Sequence, residues 1–185
     1  MGEVAIGLLL GLTLHFVFDA VQLAGHLVGF QAGLSLVNLI DPNTEVETTV
    51  FSIFHQVVTL LIFLQLNIHH WLVRGLVKSF EYLPPGSAGA TAPAAEELVR
   101  VAGGMFLLAV QLAAPVIIAT LVADVALGLI GKASPQLPVL FVGFSVKALL
   151  ALAILGASLV LWPRLLEGWL WSALFSAERL LGLTR

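Results

Sequence analysis

The chain is expected to be an all-α integral membrane protein, built of long, kinked helices and helical hairpins. Three observations lead there. Of its 185 residues, 59% are hydrophobic and 10% charged, whereas soluble domains carry about 25% charged residues; mean hydropathy is +1.06. The apolar residues fall in blocks long enough to cross a bilayer, separated by Pro- and Gly-rich punctuation. No segment shows the two-residue alternation of a half-buried strand.

The same composition excludes several functions. Eight scattered Lys and Arg residues and a net charge of -3 make no basic stripe able to neutralise a row of phosphates, so nucleic acid is not an expected partner. Without cysteine there is no disulfide framework, thiol nucleophile or Cys-based zinc site. The opening "MGEVAIGLLLGLTL" has neither the basic region nor the cleavage site of a signal peptide and reads as mature protein.

Taken in order, the first apolar block runs from about Val4 to Ile40 and is ended by Asp41 and Pro42. Thr44 and Glu47 have capping-box spacing, so a second helix is expected from near Glu45 to Phe80. At 1.5 Å per residue it would reach roughly 50 Å against a hydrocarbon core of about 30 Å, and must tilt, protrude or break near Asn67. Residues 81–97 read as an exposed loop, with Pro93, Glu96 and Glu97 suited to the first turn that follows. The third block, Leu98 to Ile130, contains Pro115, where a kink or interruption is expected. Gly131 is a cap candidate, and Pro135 and Pro138 delay the fourth block, Val139 to about Trp162. An amphipathic tail with Trp162, Trp169 and Trp171 suits a membrane interface. Residues 1–185 are read as a single domain.

At about 100° per residue, His15, Asp19, Gln22 and His26 fall inside an arc of about 60° on the first helix. Gly7, Gly11, Gly25, Gly29 and Gly33 project onto the same side. Small residues let helix backbones approach closely, and polar groups in lipid face protein or water, so this side is for subunit packing or an aqueous path. Gln31 lies about 160° from His15 and needs a separate partner. His15 and Asp19 have the spacing of two metal ligands or a proton site, but no third ligand accompanies them, and interhelical hydrogen bonding is preferred. His69 and His70 point about 100° apart and read as a helix-end contact, while His55 reads as packed.

No nucleophile elbow or phosphate loop is present, so no catalytic, cofactor-binding or metal-binding residue is assigned and no enzyme is expected. Asp124 and Lys147 are candidate buried charges, each costing about 2.5 to 3.5 kcal/mol alone in hydrocarbon. Three arrangements relieve that cost: a mutual pair across the turn at Pro135, opposite charges on another subunit, or a snorkelling Lys147. Basic residues follow different blocks and set no orientation.

The segments "AGHLVGFQAGLSLVNLIDP", "LNIHHWLVRGLVKSFEYLPPG" and "SPQLPVLFVGFSVKALLAL", in this order, resemble the FliR family, the flagellar members of the export-apparatus proteins of type III secretion systems. The resemblance covers nearly the whole chain. It implies a multi-pass protein of the bacterial inner membrane, in the flagellar basal body, that joins FliP and FliQ in a protein-conducting export gate with FlhB alongside. Unfolded flagellar export substrates are then in transit through its centre. It also implies a plug at Gly33 to Thr48, here Gly33, Leu34, Ser35, Asn38, Asp41 and Pro42 among others, and apolar surface covered by partner helices. Two hydrophobic segments that the family carries before the equivalent of Met1 are missing, so the domain is read as N-terminally shortened. Ile68 stands where the family usually has glycine and Ser145 where it usually has proline.

The homologous injectisome gate is the alternative within this class. A small-solute secondary transporter is the alternative outside it, but the inverted repeats such a protein wants are not found in this chain.

Overall fold

The computed structural model describes residues 2–33, 50–82, 92–134 and 139–183, and all six elements among them are α-helices. They are α1 (Gly2–Gln31), α2 (Val50–Gln65), α3 (Ile68–Tyr82), α4 (Ala92–Ala133), α5 (Val139–Ser158) and α6 (Trp162–Leu183). The all-α membrane class expected from composition is the one observed.

Helix α1 is the central strut, packed on α4, α2 and α6, while α5 pairs chiefly with α4. Its inward face is Val17, Ala20, Val21, Ala24 and Val28, all buried. Opposite lie Leu108, Ala109, Leu112, Ala113 and Val116 of α4, together with Leu155, Leu166 and Leu170. The alanines matter because small side chains let two helix backbones close in, where packing and not water exclusion drives association in lipid.

Two helices, Gly11–Gln31 and Ala95–Ala133, are individually long and apolar enough to cross a membrane. Two further pairs pass the same test jointly, each bent by 66°: Val50–Gln65 with Ile68–Val77, and Val142–Ser158 with Trp162–Arg179. The first bend falls at Asn67, which has φ of 55°. A single left-handed residue redirects the chain, and Asn tolerates that conformation better than most L-residues. The Asn67 carbonyl then accepts the His70 amide at 3.0 Å, starting α3. The long second block therefore breaks instead of tilting.

Three boundaries differ from expectation. Helix α1 ends at Gln31, not near Ile40, because Gly33 takes φ of 80° and its amide bonds the Phe30 carbonyl at 3.0 Å, a glycine cap. Helix α4 begins at Ala92 and α3 runs to Tyr82, so residues 81–82 and 92–97 of the expected loop are helical, while 83–91 lie outside the described residues. Helix α4 is also continuous across Pro115 and runs two residues past Gly131. Forty-two residues extend to roughly 63 Å, about twice the hydrocarbon core. The expected helix start near Glu45 lies outside the described residues.

Candidate functional site: the polar face of the first helix

The core face of α1, centred near Ala24, lies about 180° around the helix from His15. The polar stripe consequently points away from the chain's own core. His15 is 68% exposed and Asp19 34%, and the two face each other along the helix, Nε2 to Oδ1, at 3.3 Å. His26 and Gln31 are half-buried. No group of three metal-ligating side chains occurs among the described residues.

Further along, the stripe meets α2. Gln56 Nε2 donates to Gln22 Oε1 at 3.2 Å, an interhelical amide pair. One turn on, Gly25 is buried against the α2 backbone: a Cβ there would fall on Ser52, 2.7 Å from its nitrogen. Gly25 and Gln22, expected at subunit packing or the conduit, meet α2 of the same chain in this structure. Gly29 is buried as well, whereas Gly7 and Gly11 have open space around them.

Of the expected plug residues, Gly33 alone is described; Leu34, Ser35, Asn38, Asp41 and Pro42 lie outside the described residues. Gly33 abuts α5, since a Cβ would sit 2.8 Å from the Phe144 ring. The end of α1 is therefore seated on the start of α5, which sets where the following segment departs.

Asp124 of α4 and Lys147 of α5 form a direct pair, with the ammonium 3.0 Å from each carboxylate oxygen. Lys147 is 17% exposed and Asp124 43%, so only the cation is well covered within this chain.

A second polar group lies on α2. Ser52, His55 and Thr59 of α2 are fully buried, and Gln56 joins them. Their spacing of three and four residues is a helical polar stripe legible in the sequence, although each residue taken singly carries no such signal. The His55 ring donates from Nδ1 to the Phe51 carbonyl at 2.7 Å, which makes Nδ1 the protonated nitrogen and leaves Nε2 an acceptor. The ring lies against buried Trp162 at a tilt of 48°, with centroids 4.5 Å apart. His69 and His70 lie in the first turn of α3 with ring centroids 4.1 Å apart.

A helical assembly that has, among the described residues, two helices long and apolar enough to cross a membrane and two bent apolar pairs, with His15 and Asp19 turned away from the packed core, defines a membrane protein. Residues 1–172 match the family described as bacterial export proteins, family 1, and the chain belongs to that family. It is similar to the flagellar biosynthetic protein FliR of Escherichia coli K12, 34% identical over 155 residues that make up 84% of this chain and 59% of that protein. FliR of Bacillus subtilis 168 is 35% identical over 148 residues, 78% and 57% of the two chains. FliR of Aquifex aeolicus is 31% identical over 161 residues, 87% and 62%. The chain spans about three fifths of the length of the curated relatives it matches.

Proposed function

We propose that the chain is a component of the bacterial flagellar type III protein export gate, assembled with FliP and FliQ and adjoining FlhB in the inner membrane at the flagellar basal body. Its work is steric. The polar stripe of α1 borders sister subunits or the conduit, the segment from Gly33 to Thr48 helps close the pore, and unfolded flagellar subunits pass when it yields. Energy comes from elsewhere in the machine, and no side chain here is given a chemical step. Residues 1–185 act as one unit in this reading.

The observation that carries the reading is the outward stripe, His15 exposed and Asp19 half-buried on a helix long and apolar enough to cross a membrane, in a chain similar to flagellar biosynthetic proteins. Polar groups in a bilayer face protein or water, so a lipid-facing stripe would be costly and a partner or an aqueous path removes the cost.

The test is cross-linking in cells. A photo-reactive residue replacing Phe30, which is exposed and three residues before Gly33, should capture a flagellar substrate arrested in transit. Adducts to lipid alone, with the substrate arrested and the gate assembled, would argue against a conduit at this end of α1. Capture of an injectisome substrate in place of a flagellar one would move the assignment to the virulence gate.

A further inference from the structure

Helix α6 begins at Trp162, directly after the 66° bend that follows Ser158. The bend brings its indole against His55 of α2, with ring centroids 4.5 Å apart. Helix α1 closes the same layer. Its Gly25 meets the Ser52 backbone one turn before His55, and its Gln22 receives the amide of Gln56, the residue after His55. Three helices therefore converge on one histidine, in a layer that excludes solvent: His55 and Thr59 are 0% exposed and Trp162 1%.

Some polar groups of this layer are partnered inside the chain. Gln56 donates to Gln22, and His55 Nδ1 to the Phe51 carbonyl. Three others, His55 Nε2, Trp162 Nε1 and Thr59 Oγ1, are buried with no hydrogen-bond partner among the described residues. Buried polar atoms in folded proteins are nearly always bonded, to protein or to ordered water. Here the three are chemically complementary. An indole nitrogen can only donate, His55 Nε2 can only accept once Nδ1 holds the proton, and a hydroxyl does either. The rings of His55 and Trp162 are tilted by 48°, which splays their edges apart instead of stacking them flat. Thr59, four residues beyond His55, lies on the same face of α2.

These groups select their occupant. An anion would meet one N–H and, beside it, the lone pair of an imidazole. A metal ion would meet an indole N–H and too few ligands. An apolar group would satisfy none of the three atoms. Water accepts and donates, fits between packed side chains, and when buried holds about three hydrogen bonds.

We propose that one water molecule bridges α6 and α2 at this layer, accepting from Trp162 Nε1 and donating to His55 Nε2, with its second hydrogen directed to the Thr59 hydroxyl. A bridging water is nearly as favourable as a direct bond, so the joint between the two helices is hydrogen-bonded inside an apolar contact. It also holds His55 in one tautomer, because Nε2 must remain the acceptor.

The test is magnetisation transfer from water to the indole, measured by NMR on the full chain in perdeuterated detergent with 15N-labelled tryptophan and histidine. Trp162→Phe assigns the Trp162 signal among the four tryptophans. The wild-type chain should show a dipolar cross-peak between the Trp162 indole proton and the water resonance, with the sign of a water that tumbles with the protein, and the His55 nitrogens should report the proton on Nδ1. His55→Phe, which keeps a ring against Trp162 and removes the acceptor, should lose the cross-peak. Its persistence in that variant would trace it to exchange at the Thr59 hydroxyl and overturn the proposal. A wild-type indole without the water cross-peak would overturn it as well, whether the proton is unbonded or is bonded straight to His55 Nε2, which a scalar coupling between the two nitrogens reveals. The wild-type spectrum decides by itself if the variant does not fold.

Discussion

Lys147 of α5 holds both carboxylate oxygens of Asp124 of α4 at 3.0 Å, the one ion pair between different helices that is seen directly among the described residues. The two helices form a hairpin, and the pair ties them in the half that contains Leu127 and Gly143, which are themselves in contact. Because Asp124 is partly exposed, the pair is worth less than a fully buried one, yet either charge left alone in an apolar setting is unfavourable. Asp124→Asn and Lys147→Gln should each lower stability by about 1 to 3 kcal/mol. The double variant should lose less than the sum, with a coupling of about 0.5 kcal/mol or more in denaturant unfolding. Additive losses would mean that the two charges stabilise the chain separately.

The glycines of α1 should divide into two kinds. Gly25 lies against the Ser52 backbone, which cannot swing aside as a side chain would. Gly25→Ala should therefore force α1 and α2 apart and cost about 1 to 3 kcal/mol. Gly11→Ala meets nothing within 4 Å and should be neutral or stabilising by up to about 1 kcal/mol, since alanine is the better helix former. Thermal unfolding in detergent of the two variants compares them directly; equal effects would deny the close approach at Ser52.

At the first bend, Asn67 takes φ of 55° between α2 and α3. Asn67→Gly should be tolerated, because glycine adopts that conformation freely. Asn67→Val should cost about 1 to 2 kcal/mol or straighten the bend, because a β-branched side chain clashes there. Spin labels at exposed Leu61 and Val73 read the angle. An unchanged distance with unchanged stability in the valine variant would place the cause of the bend elsewhere.

Much of the helical layout was legible in the residues, for physical reasons that can be named. Asn67 sits where the second block outgrows the bilayer, so a break there relieves a length mismatch visible from counting. Pro115 was harder. A proline removes one donor and disturbs one turn, but α4 is held from Leu108 to Val116 by buried contacts to α1, and the helix continues through it. The end of α1 is hidden from hydropathy, because the apolar run continues past Gly33; its signal is Gly33 itself, which takes a positive φ.

The polar face was legible as an arc of side chains but not in its division. Periodicity places His15, Asp19 and Gln22 on one side, yet it cannot say that Gln22 is taken by Gln56 while His15 is left exposed. That depends on where α2 crosses α1, a tertiary fact set by Gly25. The α2 stripe of Ser52, His55, Gln56 and Thr59 has the same helical spacing and supplies that partner through Gln56.

Co-purification from bacterial membranes tests the central claim most directly. A tagged form of this chain, co-expressed with FliP and FliQ, should bring both down in one detergent-stable complex, and exposed α4 residues such as Val125 should become inaccessible to labelling in it. A stable solitary chain that recovers neither protein, and that moves a small solute when reconstituted in liposomes, would contradict it.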